Sequence, residues 1–207
     1  TVEIDDQTFP QLNNSQRLNN SPAAFSGGQL HNLEKIVYFI LHLYSGNHTL
    51  KLNPDISAEV CDIFLKSLNI QNGQLLLPIN KQAEDGDRRP WITFTLINLP
   101  LSSFTLTAAV YKRYRDSDDL KIIIDGEVKT HFREKTQKPL YFKPLEWFYR
   151  FWYLVGSILL GKKAISHFET TLPKGLHYIE LWADRMPKVE KVRFDFGELH
   201  RYPTVDD

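Results

Sequence analysis

Two stretches 129 positions apart carry the same letters at the same spacing: GNHTLKLNPD (46 to 55) and GLHYIELWAD (175 to 184) share glycine, histidine, leucine and aspartate. The match extends without a gap. It pairs Gly27 with Gly156, Leu30 with Leu159, Ile36 with Ile165, Phe39 with Phe168 and Leu43 with Leu172, then Gly46 with Gly175, His48 with His177, Leu52 with Leu181, Asp55 with Asp184 and Val60 with Val189. Ten identities in 39 positions, several at strand spacing, mark a duplication, so the chain is expected to build two related units.

The start of each unit can be matched as well. VEIDD (2 to 6) resembles IIIDG (122 to 126), with Ile4 on Ile124 and Asp5 on Asp125 at an offset of 120, so the second copy holds nine extra residues in between. Upstream of that match the second copy has three strand-like stretches, QLLLPI (74 to 79), WITFTLINL (91 to 99) and SFTLTAAVYKRY (103 to 114), and the first copy has no counterpart to them. Either the first unit is shortened or something else completes its sheet.

The local pattern is β. LHYIEL alternates Leu176, Tyr178 and Glu180 against His177, Ile179 and Leu181, and SFTLTAAV is rich in Thr, Phe and Val, as half-buried strands are. Turn signals recur at Ser45-Gly46-Asn47, Asn53-Pro54-Asp55, Asn72-Gly73, Asp85-Gly86-Asp87, Asp125-Gly126 and Pro173-Lys174-Gly175. EVCDIFLKSL (59 to 68) has helical periodicity, but its repeat mate VEKVRFDF (189 to 196) reads as a strand, and the repeat decides for strand. The expected fold is all-β: two tandem antiparallel β-sandwich modules, jelly-roll-like, the first lacking its opening strands. Residues 1–72 form the incomplete repeat, 73–90 a linker with the first strand of the second module, 91–200 the complete repeat and 201–207 a tail. The Asn/Ser-rich stretch 10 to 28 reads as loop and holds the Asn-x-Ser sequons of Asn13 and Asn19, with a third at Asn47.

Charge and cysteine content narrow the function. The 25 Lys and Arg cancel the 25 Asp and Glu, and no block of five like charges occurs, which argues against a nucleic-acid surface and a polybasic anchor. Cys61 is alone, so no intramolecular disulfide forms and the compartment stays open on this count. The chain opens TVEIDD, with neither a basic start nor an apolar core, as a mature or excised piece would. WFYRFWYLVGSILLG (147 to 161) is interrupted by Arg150 and falls short of the roughly 18 to 20 apolar residues of a transmembrane helix, so no membrane span is expected. There is no G-x-S-x-G elbow, P-loop, H-E-x-x-H or dinucleotide fingerprint, and carboxylate pairs such as Glu59 with Asp62 or Glu180 with Asp184 arise in any chain this acidic. A noncatalytic role is expected.

RDSDDLKIIIDGEV (115 to 128) has adjacent aspartates before a short apolar strand that closes on Asp-Gly, and HYIEL follows much later. Over about residues 91 to 196 this resembles the protective-antigen-type domain of bacterial toxins, glycosidases and yeast flocculins, and in outline jelly-roll carbohydrate-binding modules. In sugar-binding members of that family the adjacent aspartates chelate calcium, which holds sugar hydroxyls. The resemblance thus implies a calcium site at Asp118 and Asp119, and the alternative is that the pair only shapes a turn. Where the family's lectins carry an Asn-rich ligand loop, this chain has the basic and aromatic THFREKTQKPLYFKP. Trp147, Tyr149 and Trp152 in the aromatic run, with Asp125, are the candidate ligand-binding residues, since flat rings stack on sugars; the same alternation also fits a core strand. His48 and His177 occupy equivalent repeat positions, which points to a turn or packing role, and His167 with Glu169 lacks a third metal ligand at a telling distance.

The expectation is therefore a noncatalytic module of a larger secreted or cell-surface protein that binds a glycan or another cell-surface polymer. The alternative is a structural or assembly subunit, a homo-oligomer or a neighbour's partner, whose open sheet edge an adjacent chain completes.

Overall fold

Three Asx-containing dipeptides place both central residues at positive φ in two-residue turns: Asp5-Asp6 (47° and 64°) and Asp125-Gly126 (48° and 83°) each join two paired strands, and Asn72-Gly73 (50° and 74°) closes the isolated bridge Gln71↔Gln74. This backbone matches the right-handed twist of the flanking strands, and Asn, Asp and Gly tolerate it best. The computed structural model describes residues 1–10, 33–54, 59–86, 89–111, 118–133 and 162–198. Among them every regular element is a strand: β1 (Val2–Ile4), β2 (Gln7–Phe9), β3 (Ile36–Ile40), β4 (Leu50–Leu52), β5 (Gln74–Gln82), β6 (Arg89–Val110), β7 (Asp119–Ile124), β8 (Glu127–Arg133), β9 (Lys162–Asp184) and β10 (Lys188–Asp195). The all-β expectation holds.

The strands form a small sheet in the order β2-β1-β4 and a seven-stranded sheet in the order β5-β10-β6-β9-β7-β8, with β3 also paired to β6. All pairings are antiparallel except β3 on β6, which is parallel in the register Ile36↔Ile92 to Ile40↔Leu96. Residues 36–40 of the first stretch thereby enter the larger sheet.

β6 and β9 are the spine. The sequence predicts shorter, separate strands here, yet β6 and β9 pair from Arg89↔Ala183 to Val110↔Lys162, interrupted by register shifts between Pro90 and Ser103. Pro100 survives inside the strand because the ladder skips it, passing from Leu99↔Gly175 to Leu101↔Leu172. The halves of the ribbon fold toward each other about this irregular middle. Phe94 on the first half lies 6.4 Å from Phe104 on the second and 5.2 Å from Phe194 of β10, and Phe104 lies 5.3 Å from Phe194. Trp91, Ile92, Leu106, Ile122, Leu181 and Val192 complete a solvent-free core around these rings. Burying each such side chain contributes about 1.5–3 kcal/mol. The small sheet docks on the larger one through Phe9, buried against Phe39 at 5.7 Å.

Residues 59–70 depart from expectation. The repeat mate predicts a strand over 59–68, but residues 59–70 form no strand and are largely exposed.

Candidate functional site

The hairpin turns of β1-β2 and β7-β8 carry the same fastening. In the second copy Asp125 heads the turn. Its Oδ2 accepts from His177 Nδ1 at 2.8 Å and its Oδ1 accepts from the Tyr178 amide at 2.8 Å, while its own amide donates to the Tyr178 carbonyl at 2.9 Å. His177 Nε2 donates to the Pro173 carbonyl at 2.7 Å. In the first copy Asp5 Oδ2 accepts from His48 Nδ1 at 2.6 Å, its Oδ1 from the Thr49 amide at 2.8 Å, and its amide donates to Thr49 O at 3.0 Å. His48 Nε2 donates to the Tyr44 carbonyl at 2.7 Å. Atom for atom the two brackets agree, and so do their ladders: Ile4 faces Leu50 as Ile124 faces Ile179, and Val2 faces Leu52 as Ile122 faces Leu181.

Each bracket ties a hairpin turn to a strand arriving 43 or 52 residues later. Both His48 ring nitrogens meet acceptors only, an environment that favours the imidazolium. The Tyr44 carbonyl, followed by the Asp5 carboxylate, raises the His48 pKa above its usual 6.5. The Thr49 amide, followed by His48, holds the Asp5 carboxyl below its usual 3.8. With both carboxylate oxygens and both ring nitrogens engaged, the bracket is a fastener rather than a set of groups free for catalysis.

The copies differ in what covers them. Ile179, Leu181, Val189, Val192 and Phe194 of the second copy are fully buried. Their repeat mates in the first copy are Leu50, Leu52, Val60, Ile63 and Leu65, which are 47%, 39%, 53%, 60% and 91% exposed. One sequence pattern is core in one copy and surface in the other. Isolated exposed apolar residues need no explanation, but a matched set of five does.

Asp118 and Asp119 are both buried. The Asp118 carboxylate accepts from the Tyr111 amide through Oδ2 (3.1 Å) and from the Met186 amide through Oδ1 (3.2 Å), and the Asp118 amide donates to Tyr111 O at 3.0 Å, so the side chain brackets the entry to β7. Asp119 opens β7 opposite Asp184. Among the described residues no group of three or more His, Cys, Asp and Glu side chains is placed to hold a metal ion. Asp125 belongs to the bracket. Trp147, Tyr149 and Trp152, the sequons of Asn13 and Asn19, and the side chains of His167 and Glu169 lie outside what the structure describes. Cys61 is exposed in the 59–70 stretch rather than in a core strand.

A cavity of about 240 Å³ lies at the seam between the two sheets, lined by Asp5, Tyr44, His48, Ile97, Asn98 and Lys174 among others. The polar atoms of Asp5 and His48 are already spent there on each other, the Thr49 amide and the Tyr44 carbonyl. No described helix is long and apolar enough to cross a membrane.

No family model matches the chain. No curated protein matches it either. Among solved structures, dimeric latent PorU from Porphyromonas gingivalis aligns at 11% identity with a TM-score of 0.34, over 58% of this chain and 12% of that one. The insecticidal delta-endotoxin Cry8Ea1 from Bacillus thuringiensis aligns at 15% identity with a TM-score of 0.28, over 58% of this chain and 19% of that one. The aligned regions are small parts of those proteins.

Proposed function

We propose that the chain is a noncatalytic β-sandwich module with an assembly role, in which the second copy is a finished sandwich and the first is an acceptor face for a neighbouring polypeptide. The observation that carries this reading is the matched set of five apolar positions, buried at 179, 181, 189, 192 and 194 and exposed at 50, 52, 60, 63 and 65. A face of the first copy that water covers in the isolated chain becomes a core face when a partner covers it, and its burial then drives association. The glycan-binding alternative draws on residues 147, 149 and 152 and on Asp125, whose carboxylate is held by His177 and Tyr178.

The test is an apolar dye titration. An anilinonaphthalene sulfonate should brighten on the wild type, and the combined Leu50→Ser, Ile63→Ser, Leu65→Ser variant should lose that signal without losing its circular dichroism. Wild type that binds no dye would remove the acceptor reading.

A further inference from the structure

The acceptor reading leaves open what fills the face, and the second copy supplies a template. There β6 is the shared neighbour of two strands: its whole length pairs with β9, and its second half also pairs with β10. Taking β6 away would bare the outer edge of β9 and the inner edge of β10 together. The first copy shows that pair of vacancies. β4, which corresponds to the end of β9, is bonded to β1 on one side and, among the described residues, to no strand on the other. Residues 60–65, which correspond to 189–194 in β10, form no ladder at all.

The spacing of side chains agrees. In β10 the core residues fall at Val189, Val192 and Phe194 because the register shifts between Val189 and Lys191, and this irregularity turns a two-residue step into three. The first copy keeps the same unequal step at Val60, Ile63 and Leu65. It has the pattern of a bulged strand without the strand. Phe64 sharpens the point, since it is strongly exposed and its mate Arg193 is exposed as well. A sandwich completed on this template covers 60, 63 and 65 but leaves 64 outside.

We propose that the first copy accepts one long β-strand of the β6 kind, contributed by a neighbouring polypeptide chain and running antiparallel to both β4 and residues 60–65. This rests on the acceptor reading and names its partner. The register follows from the second copy, where Ile92 faces Leu181, Phe94 faces Ile179, Phe104 faces Phe194, Leu106 faces Val192 and Ala108 faces Val189. The incoming strand therefore carries large alternating apolar residues opposite Leu52 and Leu50, passes through an irregular middle, and then carries large residues opposite Leu65 and Ile63 and a small one opposite Val60. Main-chain hydrogen bonds to the two bare edges supply affinity, and the alternating pockets supply register.

The chain's own β6 is the nearest available mimic. A peptide of residues 89–110 with a lysine tail for solubility is titrated into the full chain, and amide exchange is followed by mass spectrometry beside light scattering. The expected result is slowing of exchange by about tenfold or more at 50–52 and 60–65, lost in Leu52→Lys and in Ile63→Lys and kept in Phe64→Lys. All three positions are exposed, so none of these variants endangers folding. Dye binding that persists with no peptide-induced protection would overturn the strand while sparing the acceptor face. Protection that rises with protein concentration in step with a doubled mass, peptide absent, would make a second copy of this chain the occupant and overturn the proposal. Residues 60–65 already protected in the dilute isolated monomer, with no dye bound, would remove the acceptor reading itself.

Discussion

Leu52 and Leu181 are the same residue at the same repeat position on equivalent strands, so truncating each to alanine compares environment alone. Leu181 is fully buried between Ile92 of β6 and Ile122 of β7 in the ladder, whereas Leu52 is 39% exposed and, among the described residues, faces Val2 alone in its ladder. Leu→Ala in a close-packed core loses transfer free energy and leaves a cavity, at a cost of about 3–5 kcal/mol. That is a large share of the roughly 5–15 kcal/mol by which a domain is stable. For a chain of this size it corresponds to a fall of roughly 6–20 °C in Tm, or about 1.5–2.5 M in the urea midpoint at an m-value near 2 kcal/mol/M. Leu52→Ala leaves a site that water already reaches and should cost about 0.5 kcal/mol or less. Urea titrations followed by tryptophan emission read both, since Trp91 lies in the core. Equal losses at the two positions, or a larger loss at Leu52, would refute the claim that one copy is covered and the other is not.

Four further outcomes follow. The Asp5–His48 bracket has a pH window. Asp5 is held below 3.8, so its contribution is full above that value and is lost as pH falls through the folded pKa; His48 is raised above 6.5, so its contribution is full below that value and is lost as pH rises through the folded pKa. Exchange of the Thr49 amide, which donates to Asp5, should be slowest relative to the intrinsic rate between those limits, and NMR titration should find His48 above 6.5; a lower value would contradict the geometry. Gly73→Ala should cost more than about 1 kcal/mol, because Gly73 sits at φ +74° and a β-carbon there would stand 1.9 Å from the Gly197 carbonyl oxygen. By contrast Gly126→Asn, at φ +83° with open space around it, meets only backbone strain that Asn tolerates better than most residues, and should cost less than Gly73→Ala in a thermal melt. Asp118→Ala strands the Tyr111 and Met186 amides and should cost about 1–3 kcal/mol; a loss that is the same with and without EDTA assigns the side chain to the turn, while one that vanishes in EDTA assigns it to an ion.

The repeat was legible because identities at strand spacing survive in the letters, and it located Asp5, Asp125, His48 and His177 correctly in pairs. Their joining was not legible, since no local rule connects an aspartate at a hairpin to a histidine 43 or 52 residues on. The signal was present nonetheless: both partners recur together in both copies. Segment lengths went wrong at residues 100–102, which fall between two separate strand-like stretches and are accommodated where the β6 ladder is irregular. The parallel docking of β3 left no mark in the pattern, because alternation reports which face is buried and not the direction of the neighbour. Residues 59–68 carry the apolar spacing of a bulged strand, but a strand also needs bonding partners, and none is supplied among the described residues.

The most direct measurement is amide exchange on the isolated, dilute chain, comparing residues 60–65 with their mates 189–194. The account predicts exchange near the unprotected rate in the first segment and protection by orders of magnitude in the second, which is bonded on both edges by β5 and β6. Comparable protection in the two segments would contradict it.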